Sequence, residues 1–475
     1  MRWIGIIGWL ALVGCGPRVV LGGEGDTTDG IGEVGTAVTS SVPDDQEDDG
    51  DVWDPDLYMQ DPPDLPPPVN QLDILVVIDN SATMGPTQEA LIRGLVGLVG
   101  QLEDDLERPV DVQLMFTTTD MGHPLCEGFG PSSYVPAQGA PTTTGCNLRL
   151  DHFATTGPQS EAHKELCTEF CPADIVPGDP FVAFAIDGSN NITPGVPTNV
   201  DIDGDGEPDS AVKRAVGCLA PQGLCGCGYE APLESMLQAL DPAAPWNSGG
   251  RPFMRAGSTL VVVVATDEAE CSMTETDWMF DEQYEPGSAL PASAVCWNAG
   301  VECDGPDALG VYSDCASAEG PLTPMYRYHE QLAWLADEYA LEIRMIAITG
   351  VPPVSGHNPA PPFEPIAGGV DDLAVHDWRD GLVPDGDMLP GDEDDAAALQ
   401  ELYGIGPGCA VVDAEAGHVA RALPNHRVNE VCRTLDDDDP ATATHCCIES
   451  ACDPIAGLDC IIGWSYDEGS LLPGG

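Results

Sequence analysis

The sequence predicts an α/β fold with a largely parallel sheet, and three stretches carry that expectation. Leu72–Ile78, Ser258–Ala265 (STLVVVVA) and Glu342–Thr349 (EIRMIAIT) are short, β-branched apolar runs. Runs of that length suit strands buried on both faces of a sheet. Segments with helical spacing lie between them, and strands that alternate with helices pair in parallel.

The first run leads directly into chemistry. In Leu72–Met84 (LDILVVIDNSATM) the apolar residues end at Asp79, and Ser81 and Thr83 follow as Asp-x-Ser-x-Thr. Parallel sheets place ligands outside the carboxyl ends of their strands. A carboxylate and two hydroxyls at that place are hard oxygen donors suited to a divalent cation. Leu91, Leu95, Leu98, Leu102 and Leu106 then step by three and four, one apolar face of a helix over Gln88–Leu106. Pro86 is well tolerated at its start.

Val110–Thr119 alternates and reads as the second strand, and Asp120 at its end is expected on the same rim as a further candidate metal ligand. Residues 121–216 are polar, rich in Gly and Pro, and too long for a plain loop. They are expected to form a disulfide-stapled insertion. Gly226–Leu240 reads as a turn and a helix, and Ser258–Ala265 runs into Thr266-Asp267-Glu268. A second Cys-rich insertion spans about 271–320. Met325–Tyr339 repeats the helical spacing before the last strand. The folded domain is thus expected over 71–350. An acidic, Pro-rich linker follows over 351–408, then a Cys-rich region over 409–475, either separate or the closing piece of the domain.

The N-terminus reads as an address. Arg2 and the apolar Trp3–Val13 resemble a signal segment too short to span a membrane. Leu12-Val13-Gly14-Cys15 resembles the bacterial lipoprotein signal, which makes Cys15 the lipidated residue after export of residues 1–15. Glu24–Asn70 carries fourteen acidic residues and no Lys or Arg, so residues 16–70 are expected to be a disordered stalk. As a random coil it would span roughly 40 Å. The protein is therefore expected in the cell envelope, in the outer membrane or at the cell surface, touching the membrane only through its lipid.

Charge excludes whole classes of partner. Eighty acidic and sixteen basic residues give a net charge of −64, which repels nucleic acid. The eighteen cysteines agree with an oxidising compartment. Cys15 aside, the disulfide candidates are Cys126, Cys146, Cys167, Cys171, Cys218, Cys225, Cys227, Cys271, Cys296, Cys303, Cys315, Cys409, Cys432, Cys446, Cys447, Cys452 and Cys460. That number is odd, so at least one is expected to be free or to pair between chains. Their spacings do not make the paired CxxC set of a structural zinc site.

A second oxygen cluster lies in the first insertion. Asp201, Asp203, Asp205 and Asp209, with Gly206 among them, match loop positions 1, 3, 5, 9 and 6 of an EF-hand-like calcium loop. Position 12 is Val212, so the bidentate Glu is absent, and Ca²⁺ affinity on the order of 10⁻⁴–10⁻³ M is expected. No HExxH, GxSxG or GxxxxGK[ST] pattern occurs, so no enzyme is expected.

LDILVVIDNSATM with its helix, and later TLVVVVATDE, resembles the von Willebrand factor type A domain. That resemblance implies a doubly wound α/β fold and a metal-ion-dependent adhesion site for Mg²⁺ or Mn²⁺. Asp79 and Ser81 match its first-loop motif, Thr83 stands for the last Ser, and Asp267 matches the later Asp. The family's second-loop Thr has no clean match. Cys227 falls nearest, so either that ligand is missing, or Glu230 or a water substitutes. Glu268 is expected to support the ligands or face solvent. CGYEAPLESM, ATDEAECS and VCWNAGVECD further resemble bacterial lipoproteins with cysteine-stapled type A domains. The resemblance implies adhesion to a protein or glycan ligand through the cation. The alternative is a Ca²⁺-stabilised structural surface protein whose metal site is vestigial.

Overall fold

The computed structural model describes residues 70–104, 110–127, 130–153, 166–167, 171, 175–185, 187–193, 200–284, 291–308, 310–351, 375–378, 396–413, 418–436 and 445–465. The expected signal segment, Cys15 and the stalk as far as residue 69 lie outside them, whereas Asn70, expected as the end of the stalk, begins a strand.

The protein is mixed α/β with a largely parallel six-stranded sheet. The first half of the chain gives β1 (Asn70–Ile78), α1 (Gly85–Asp104), β2 (Val110–Thr118), β3 (Val182–Ala185), α2 (Ala211–Leu219), α3 (Pro232–Ala239) and β4 (Thr259–Ala265). Next come α4 (Ala294–Gly300), β5 (Val301–Asp304), β6 (Val311–Ser317), α5 (Met325–Tyr339) and β7 (Glu342–Thr349). The remainder gives β8 (Val375–His376), α6 (Ala396–Tyr403), β9 (Cys409–Asp413), β10 (His418–Ala422), α7 (His426–Arg433), β11 (Cys446–Ser450) and α8 (Pro454–Ser465).

The sheet order is β11-β7-β4-β1-β2-β3. All neighbours are parallel except β3, which runs antiparallel to β2. The apolar run of β1 explains its central place, because its side chains serve two cores. Ile74, Val76 and Ile78 pack with α1, α2 and α8 on one face. Leu75 and Val77 pack with α3, α5 and α7 on the other. Burying each such side chain contributes about 1.5–3 kcal/mol. A third apolar cluster, with Tyr229, Trp297, Trp378 and Ile405, joins the excursions beyond the strand ends.

Three expectations change. The first insertion is not merely appended, for it supplies β3, the sheet's antiparallel edge. Within the stretch expected as a linker, β8 pairs with β6, and Trp378 is fully buried with its indole N–H bonded to Ile405 O at 2.6 Å. A polar composition concealed those few anchoring residues. Of the two outcomes expected for the odd cysteine, a free thiol fails among the described residues, none of which is a free cysteine. Described pairs include Cys126–Cys227, Cys146–Cys167, Cys171–Cys218, Cys271–Cys296 and Cys303–Cys315. Three further pairs, Cys409–Cys452, Cys432–Cys446 and Cys447–Cys460, staple the C-terminal region. Cys225 is disulfide-bonded as well. No helix among the described residues is long and apolar enough to cross a membrane.

Candidate metal centre

The carboxyl ends of β4, β1 and β2 are level, since Ile78 is in register with both Ala265 and Thr118. Consecutive β1 and β2 lie on one side of this point and β4 on the other. Such a reversal of strand order opens a crevice for ligands. Asp79, Thr119-Asp120 and Thr266-Asp267-Glu268 are the residues that leave the three strands there.

Asp79 is fully buried. Its Oδ1 accepts the Ser81 N–H at 2.7 Å, and its Oδ2 accepts the Thr266 hydroxyl at 2.7 Å. The Ser81 and Thr83 hydroxyls lie 3.2 Å apart. The Asp267 carboxyl sits against both Thr83 and Asp79. The structure thus brings together Asp79, Ser81, Thr83 and Asp267.

The middle loop adds a fifth group. Gln88 holds that loop to β1, donating to Asp79 O at 2.9 Å and Gly223 O at 2.8 Å while accepting the Gln222 N–H at 3.1 Å. Gly226 approaches so closely that a Cβ there would collide with the Asn80 amide, so a larger residue would have to displace that side chain. Cys227 is sealed in its disulfide with Cys126 and offers no ligand. Glu230 instead turns inward, fully buried, with Oε2 accepting the Thr119 hydroxyl.

Asp120 lies beside the cluster with its oxygens already engaged. Its Oδ2 accepts Tyr134 OH at 2.6 Å and the Cys227 N–H at 3.2 Å, and its Oδ1 accepts the Gly122 N–H at 2.8 Å. Tyr134 in turn accepts from Asn80 Nδ2 at 2.9 Å. Burial and the charge of Asp120 hold the Tyr134 phenol well above its ordinary value, so it remains a donor.

Of the two expectations for Glu268, facing solvent fails, since it is only 6% exposed. The Leu423 N–H donates to Asp267 O at 2.8 Å, and Asn425 Nδ2 donates to Glu268 O at 2.8 Å. This clasp from the C-terminal region holds the backbone of the Asp267-Glu268 loop.

Asp79, Glu230, Asp267 and Glu268 are all pushed above their ordinary carboxyl values by burial. For the last three, neighbouring carboxylates push further. Glu230 Oε1, Asp267 Oδ1 and Glu268 Oε2 are buried without a hydrogen-bond partner. Each such atom costs about 1–3 kcal/mol or more when nothing replaces water. An all-oxygen set of carboxylates and hydroxyls fits a hard divalent cation such as Mg²⁺, Mn²⁺ or Ca²⁺.

The Asp-rich loop differs. Asp201, Asp203 and Asp205 converge, and the Lys213 ammonium lies 2.6 Å from Asp203, 3.2 Å from Asp205 and 3.2 Å from Asp209. Burial disfavours that ammonium, yet these carboxylates hold its pKa above the usual lysine value. The loop therefore already contains a cation from its own chain. Sequence spacing gave no sign of this, because Lys213 belongs to the buried side of α2. The other two groupings of potential ligands, His123 with Cys126 and Cys227, and Glu449 with Cys447 and Cys460, contain disulfide sulfurs unsuited to a metal.

Comparison with known protein families, with curated proteins and with solved structures finds no match to this chain.

Proposed function

We propose that this protein is an envelope-anchored, cation-dependent binding protein built on a von Willebrand factor type A-like domain. The observation that carries the reading is the strand-end cluster itself, in which the Asp79 and Asp267 carboxyls lie against each other and against the adjacent Ser81 and Thr83 side chains, with Asp267 Oδ1 buried and without a hydrogen-bond partner. Asp79, Ser81, Thr83 and Asp267 would hold Mg²⁺ or Mn²⁺, and Glu230 would take the role of the missing Thr. The central β1, the antiparallel edge strand β3 and helices on both faces support the doubly wound reading. The ligand, a protein or glycan, would complete the coordination from the open side of the site. Export, the lipid on Cys15 and the absence of enzymatic activity belong to the same proposal.

Calorimetric titration of Mg²⁺ into the wild type and Asp79→Ala tests it. A saturable heat lost in the variant is expected, and identical heats would overturn the metal assignment. The alternative, a Ca²⁺-stabilised structural protein, requires calcium to displace Lys213 from its three carboxylates. That observation favours the binding reading.

A further inference from the structure

We propose that the cavity beside the cation site receives a positively charged side chain, the guanidinium or ammonium of an arginine or lysine on a protein partner. This rests on the cation-site reading above. The cavity encloses about 440 Å³, room enough for a side chain or a small ligand. Ser81, Thr83 and Glu268 line it on the cation side, Asp120 lines it from beyond the end of β2, and Tyr134 lines it from the first insertion.

Glu268 carries the argument. It is more than nine-tenths buried, it lines the cavity, and its Oε2 has no hydrogen-bond partner. One divalent ion offsets only two of the four carboxylates Asp79, Glu230, Asp267 and Glu268. Asp120 and Glu127 add further negative charge to the lining, and among the described residues no lysine or arginine lines the cavity to offset it. A carboxylate-bearing ligand, which an open position on the ion would otherwise invite, would be repelled there.

A guanidinium meets each demand. It supplies several N–H donors in a fixed plane for Glu268. It also packs favourably on an aromatic face, and the Tyr134 ring is held in place by its hydrogen bonds to Asp120 and Asn80. The net charge of −64 acts in the same sense over longer range, drawing basic partners and raising their association rate.

The test uses the full chain with Mg²⁺ and three calorimetric probes: N-acetyl-arginine amide, the neutral isostere N-acetyl-citrulline amide, and N-acetyl-glutamate amide. The arginine probe should bind saturably, the citrulline probe at least about tenfold more weakly, and the glutamate probe not at all. Glu268→Gln should weaken the arginine probe by about tenfold. Should that variant fail to fold, added NaCl in the wild type must weaken arginine binding in its place. Equal affinity for arginine and citrulline, preference for glutamate, or no saturable arginine heat would each overturn the proposal. Arginine binding without any Mg²⁺ heat would sink the cation-site reading and leave the cavity standing. Mg²⁺ heat without arginine binding would do the reverse.

Discussion

Thr266 shows how one residue ties two strand ends into a site. Its hydroxyl donates to Asp79 Oδ2 and accepts the Glu268 N–H at 3.2 Å, so Asp79 and the Asp267 loop are positioned together. Asp79, Ser81 and Thr83 were legible because they follow a strand without interruption, and Asp267 repeats the logic of strand followed by carboxylate. Which of its two expected places Glu268 takes was not legible, since the contacts that hold its loop come from Leu423 and Asn425, far away in sequence. A pH prediction belongs at this scale. Folding raises the pKa of Asp79, Glu230, Asp267 and Glu268, so the native cation-free state binds more protons than the unfolded chain. Its stability should therefore fall as pH rises from about 4 through the raised values. Urea melts in EDTA at several pH values would measure this. A divalent cation should reverse the trend and release protons on binding, seen as a buffer-dependent heat. Stability that rises with pH in EDTA would contradict it.

Among elements, the main parallel strands were easy to read and the sheet edges were not. β1, β4 and β7 are long, apolar and bounded by turns. β3 has four residues inside a polar insertion, and β11 begins with the cysteines Cys446 and Cys447. Neither has a periodicity to betray it; what places them is pairing with a neighbour. α7 is held from the side by a buried ion pair. Arg427 Nε donates to Glu270 Oε2 at 3.0 Å, and Nη2 donates to Thr323 O. Removing one member of a buried pair strands the other charge, so Arg427→Met should cost about 3–5 kcal/mol. Chemical denaturation would detect this, and a loss under about 1 kcal/mol would show that the pair does not hold α7. Asn425, which caps α7 by accepting the Val428 N–H at 3.1 Å, also holds Glu268. Disorder in α7 should therefore reach the cation site.

At the scale of the molecule, charge and disulfides divide the labour. The net charge of −64 opposes compaction, while described disulfides tie together regions up to 101 residues apart. Repulsion between surface carboxylates weakens as the Debye length shrinks from about 30 Å at 0.01 M to about 8 Å at 0.15 M salt. The melting temperature should accordingly rise with NaCl over that range. A flat profile would mean that the surface charge is already compensated. The sign and size of this charge were plain from composition. The three-core arrangement was not, because Trp378 and Ile405 sit in a stretch whose polarity suggests a linker.

The contact from Asn425 to Glu268 spans 157 residues of sequence. During synthesis, every proposed ligand of the ion is made long before the residues that hold that loop in place. A copy cut short ahead of Leu423 would carry Asp79, Ser81, Thr83, Glu230 and Asp267 yet lack the clasp over the Asp267 loop. Binding would then report that synthesis had passed Asn425.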